Sequence, residues 1–139
     1  MKMRENRKDE FVFETQDPLN YDVKLKKGTW ESHIIGDHAE REDFRGNEHF
    51  FKSLVEDPDY IYKQKTLSGK ARWNYIAYAN IKDEGNPKVY SIIAEHHESG
   101  YRDIVTIFPK NSTKLNSSDD KSKEGKVYDR RKNDKNKLQ

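Results

Sequence analysis

The period of the apolar positions changes twice along this chain, and each change marks an element boundary. Residues 10–14 (EFVFE) alternate apolar and polar, which predicts a first strand ended by Asp17-Pro18. Tyr21-Asp22-Val23-Lys24-Leu25-Lys26 alternates strictly and predicts a half-buried strand. The spacing then becomes helical. Thr29 stands where an N-cap belongs, Glu31 falls in the favoured first turn, and Trp30, His33 and Ile34 share a face until Gly36 loosens or ends the helix. Asn47 is the next N-cap candidate, followed by the stripe Phe50, Phe51, Leu54 and Val55, which stops at Asp57-Pro58.

After Pro58 the period returns to two. Tyr60 to Lys63, Trp73 to Tyr78, Val89 to Ala94 and Ile104 to Phe108 are rich in β-branched and aromatic residues. Leu67-Ser68-Gly69-Lys70, Asp83 to Pro87 and Glu98-Ser99-Gly100 supply turn chemistry between them. Short polar gaps favour antiparallel pairing of consecutive strands. The expected fold is therefore α+β, with N-terminal helices packed on a four-stranded antiparallel sheet.

Composition adds limits to that picture. A length of 139 residues fits one domain. Only 32% of the residues are hydrophobic, against about 45–50% in typical domains. Eight Tyr, six Phe and two Trp compensate, because each ring buries a large area. No apolar run approaches the ~18 residues of a membrane span, and the basic start leads into no apolar segment of a secretory signal. The absence of cysteine removes disulfides, thiolate metal sites and a thiol nucleophile. A soluble, cytoplasmic protein is the expectation.

Charge divides the chain. From Lys110 onward there are ten Lys/Arg against five Asp/Glu, so the preceding residues are net acidic although the whole carries +2. The terminal stretch is almost without apolar residues and is expected to be disordered. Its functional reading is a basic arm for RNA, and its plainer reading is a solvating tail. The domain organisation that follows is an N-terminal extension (1–20) with room for an edge strand, an α+β domain (21–109) and a disordered tail (110–139).

Two histidines in the first helical segment attract attention. His33 and Asp37 are four apart, so the carboxylate would orient the imidazole, whereas His33 and His38 converge only if Gly36 turns the chain. The spacing is not that of a zinc-protease helix, and no metal site or cofactor is expected. The alternative reading packs His33 beside Trp30 and leaves His38 as a helix-end residue. Thr106 offers a hydroxyl from a strand, or serves only strand propensity. Around one hairpin, Lys63, Lys65 and Lys70 interleave with Tyr62 and Tyr75. Cations beside rings are what single-stranded RNA binding uses, and an aromatic sheet face edged by solvated lysines reads equally well.

The ordered set Trp30-x-x-His33-Ile34-x-x-x-His38, Asp57-Pro58-Asp59-Tyr60-Ile61, Arg72-Trp73-Asn74-Tyr75, Val89 to Ala94, Gly100 and Ile104-Val105-Thr106 resembles the phage- and mobile-element-borne members of the barnase–EndoU–colicin E5/D–RelE nuclease superfamily. The resemblance covers roughly residues 28–108. It implies a barnase/RelE-like fold and a metal-independent, toxin-type endoribonuclease with RNA, such as tRNA or mRNA, as substrate. It also implies a cognate antitoxin or immunity protein as partner. By position it carries the catalytic roles to His33, His38, Arg72 and Thr106. Members often have Pro-Glu after the second histidine, where this chain has Ala39-Glu40. Two competing readings are a catalytically inactive RNA-binding module and a phage or mobile-element protein-interaction (antitoxin, immunity or regulatory) protein.

Overall fold

A computed structural model describes residues 10–36, 44–65, 69–79, 88–110 and 125–132. Alternating side chains over β1 (Phe11–Gln16) and β2 (Asp22–Lys26) form an antiparallel hairpin, with Phe13 opposite Leu25 and Glu14 opposite Lys24. Two helices follow, α1 (Thr29–Gly36) and α2 (Glu48–Glu56). The chain then makes β3 (Tyr60–Lys65), β4 (Ala71–Ala79), β5 (Lys88–His96), β6 (Arg102–Lys110) and β7 (Lys126–Asp129). All seven strands belong to one sheet, in the order β1-β2-β6-β5-β4-β3-β7.

That topology overturns the expected fold. The sheet is mixed and seven-stranded, not a four-stranded antiparallel sheet bearing N-terminal helices. Strands β3 to β6 do pair antiparallel in sequence order. The β1–β2 hairpin, however, precedes the helices and adds itself to the β6 edge, where Val23 and Lys24 pair in parallel with Arg102 and Asp103. At the other edge β7 pairs with β3, setting Tyr128 opposite Ile61. Part of the stretch expected to be a disordered tail is thus an edge strand. Tyr128 is buried against the core, and Lys126 lies over the rings of Tyr60 (4.7 Å) and Tyr62 (5.9 Å) on the other face.

Both helices cover one face of the sheet. Helix α1 has the wide i→i+5 spacing of a π-helix, so Trp30, Ile34 and Ile35 point inward. Gly36 is required there, because a Cβ at that position would strike the Glu31 carbonyl oxygen five residues earlier. Asn47 precedes α2, but its side chain does not cap it. The inward stripe of α2 (Phe51, Leu54, Val55) meets Trp30, Phe44 and Tyr90 in an aromatic cluster, with ring centroids 4.7 Å apart for Phe44–Phe51 and 5.6 Å for Phe51–Tyr90. Full burial of a side chain such as Phe51 stabilises by about 1.5–3 kcal/mol. A smaller cluster of Tyr60, Tyr62, Ile76 and Val89 occupies the face away from the helices.

Candidate functional site

The three described residues of the expected catalytic set, His33, Arg72 and Thr106, are separated by the sheet. His33 is exposed on α1, on the helix side. Arg72 alternates with the inward-facing Trp73 and Tyr75, so it lies on the opposite face, as does Thr106, which pairs across with Ile93. Arg72 is held there by Glu95, its Nε donating to Oε2 at 2.6 Å. Thr106 is half-buried. His38 and Asp37 lie outside the described residues, as do Ala39-Glu40, the Asp83–Pro87 turn and most of the terminal segment.

The expected RNA-binding residues are also divided. Lys63 and Lys65 are exposed on the helix-side face, and Lys70 is exposed beside Glu95 at 3.7 Å. Tyr62 is buried on the far face, and Tyr75 is fully buried in the core. Neither presents a ring to solvent. The Tyr75 hydroxyl instead donates to Asp17 Oδ2 at 2.6 Å and accepts from Arg102 Nη1 at 2.9 Å. Burial first, and the hydrogen bond to Asp17 second, push the Tyr75 phenol far above its usual range.

The structure brings a different set together. Where the end of β2 meets the N-terminal ends of α1 and α2, a cavity of about 400 Å³ is lined by Val12, Lys27, Trp30, Glu31, Arg45, Gly46, Glu48 and His49. Its geometry follows from local sequence. Lys27 follows directly on β2, beyond the alternating strand. Glu31 is exposed in the first turn of α1, next to the buried Trp30. Gly46 takes a φ of +81°, in the left-handed region that a side chain disfavours, and so turns the chain into α2. Glu48 and His49 then occupy the first turn of α2, whose inward positions are reserved for Phe51, Leu54 and Val55.

The cavity unites two cations, two carboxylates and an imidazole. Lys27 reaches Glu10 at 3.9 Å, and both of these side chains are exposed. Glu48 Oε1 is buried with no hydrogen-bond partner among the described residues. The backbone N–H groups at the start of α2 add partial positive charge, which favours an anion there. Chemically the arrangement can hold a phosphate and exchange protons with it. No group of three or more His, Cys, Asp or Glu suited to a metal ion occurs among the described residues.

Sequence reasoning passed over this set because nothing local signals it. Residues 27–31 and 45–49 carry no joint motif, and His49 alone reads as a solvated helix residue. Among the described residues no helix is long and apolar enough to cross a membrane. Comparisons with protein-family models, with curated proteins and with solved structures find no match.

Proposed function

We propose that the protein is a metal-independent endoribonuclease whose reaction takes place in the cavity lined by Lys27, Glu31, Arg45, Glu48 and His49. The observation that carries this reading is the meeting of cations, carboxylates and an imidazole in one solvent-reachable cavity. The resemblance of residues 28–108 to a ribonuclease superfamily suggests the same reaction class, but the fold it implies is not the one observed and the residues it singles out are not those of the cavity.

The chemistry needs only these side chains and the substrate. RNA is cleaved when its 2′-oxygen attacks the adjacent phosphorus and the bond to the 5′-oxygen breaks. The Glu48 carboxylate, which lines the cavity, takes the 2′-OH proton. Protonated His49 supplies a proton to the departing 5′-oxygen, leaving a 2′,3′-cyclic phosphate and a 5′-hydroxyl. Lys27, Arg45 and the α2 N-terminus offset the charge that builds on the phosphorane oxygens. Acid–base catalysis by positioned side chains typically contributes about 10²–10⁴-fold.

The test is incubation of the protein with total cellular RNA in EDTA, followed by end analysis of the fragments. Discrete fragments ending in 2′,3′-cyclic phosphate, absent with Glu48→Gln, are expected. Intact RNA at high protein concentration, or fragments that require a divalent cation, contradicts the proposal.

A further inference from the structure

At the turn end of the β1–β2 hairpin, an exposed aromatic ring is held in a fixed place. Asp17, only 3% exposed, is the anchor. Its Oδ1 accepts the backbone N–H groups of Leu19 (2.9 Å) and Tyr21 (3.0 Å), and its own N–H donates to the Tyr21 carbonyl at 3.0 Å. Its Oδ2 accepts from Arg102 Nη1 at 2.9 Å and from the Tyr75 hydroxyl at 2.6 Å. The same carboxylate thereby fixes both the backbone of Tyr21 and the guanidinium beneath its ring.

The guanidinium of Arg102 is sandwiched. Its Cζ lies 3.8 Å from the Tyr21 ring centre and 4.1 Å from that of Trp73. Lys63 Nζ sits 5.8 Å over the Trp73 ring, extending the stack toward β3. Tyr21 ends the series and remains 51% exposed. Shielding Arg102 requires one face of that ring and leaves the rest of its apolar surface in water. Around the stack, Lys63, Lys65 and His96 are exposed on the same face, with His96 directly across from Arg102. Neither Lys63 nor Lys65 has a carboxylate partner among the described residues.

A fixed ring that ends a cation–aromatic stack, bordered by unneutralised lysines, matches the two parts of an unpaired nucleotide. The ring takes the flat face of the base, and the lysines take the flanking phosphates. Duplex RNA hides its base faces inside its own stack and offers nothing for Tyr21 to meet.

We propose that Tyr21, supported by Arg102 and Trp73, is a docking platform for an unpaired base of single-stranded RNA, with Lys63 and Lys65 on the neighbouring phosphates. This rests on the reading of the protein as an RNA-cleaving enzyme and adds a second point of contact for the strand. At about 3.4 Å per residue, Tyr21 and Lys27 stand about 20 Å apart along β2, so the platform is distinct from the cavity.

The experiment measures binding of the full chain to a fluorescent single-stranded 2′-O-methyl RNA, which cannot undergo 2′-oxygen attack, by anisotropy. Tyr21→Ala is expected to weaken binding about tenfold, while Tyr21→Phe, which keeps the stacking ring, retains the affinity of the unaltered protein. Thermal melting of both variants verifies that they are folded. Equal affinity of Tyr21→Ala and the unaltered protein overturns the platform, and leaves the cleavage reading standing if unmodified RNA is still cut. Binding that depends on Tyr21 in a protein that never cuts RNA supports the platform and removes the nuclease reading. No binding of the single strand at all overturns the platform.

Discussion

At the turn end of the β1–β2 hairpin, Asp17, Arg102 and Tyr75 satisfy one another in an almost dry space. At its open end, Lys27, Glu31, Arg45, Glu48 and His49 border a cavity of about 400 Å³. Both regions gather charge on the helix side of one sheet, but they use it differently. The first ties the hairpin loop to β4 and β6 and has no capacity left for a ligand inside it. Its contribution to binding is indirect, through the ring of Tyr21 that it holds in place. The second keeps titratable groups at the wall of an open cavity, where a substrate can reach them. A buried ion pair specifies geometry more than it adds stability, whereas groups facing a cavity are placed for chemistry.

The largest effect expected from this contrast is at Asp17. Asp17→Ala strands the Arg102 guanidinium, which is 4% exposed, without its carboxylate. Breaking a buried pair in this way costs about 3–5 kcal/mol, read by chemical denaturation. A cost under about 1 kcal/mol would show that the hub does not organise the fold.

Alkaline pH acts on the same hub. The folded protein holds the Tyr75 phenol protonated well beyond the range in which a free phenol ionises, near 10. The native state therefore keeps a proton that the unfolded state gives up above about pH 10, and stability falls as pH rises there. The slope due to this group is about 1.4 kcal/mol per pH unit. In Tyr75→Phe that slope disappears, which titration of the unfolding midpoint would detect.

The smallest effect is expected at Arg72. It makes an exposed ion pair with Glu95 on the face away from the cavity. Arg72→Ala should cost no more than about 1 kcal/mol and leave RNA cleavage unchanged. A large loss of cleavage would move the reaction to the opposite face and favour the positions suggested by resemblance.

Strand positions were legible in the sequence, and their places in the sheet were not. Tyr60 to Lys63, Trp73 to Tyr78, Val89 to Ala94 and Ile104 to Phe108 all lie within observed strands, because β-branched and aromatic residues with period-two spacing leave few alternatives. The parallel pairing of Val23 with Arg102 joins residues far apart in the chain and has no local signature. Strand β7 was hidden by composition: Val127 and Tyr128 are its only apolar residues, and only Tyr128 is buried.

The sites follow the same logic. Interleaved Lys and Tyr suggested one RNA-binding face, but alternation sends Tyr62 to one side of β3 and Lys63 to the other, and Tyr75 enters the core. Asp17 read only as a strand terminator before Pro18. Its role as a hub whose two oxygens accept four hydrogen bonds required partners from β4 and β6. Glu48 and His49 fall in the first turn of α2, but the cavity that gives them a use is made by the approach of β2 and α1, which no local pattern announces.

The central claim is that the cavity beside α2 performs the reaction. Its most direct test compares RNA cleavage rates of the unaltered protein and His49→Gln in EDTA, with thermal melting as the check on folding. The account predicts at least a hundredfold slower cleavage by His49→Gln at an unchanged melting temperature. Equal cleavage by the two folded proteins would contradict it.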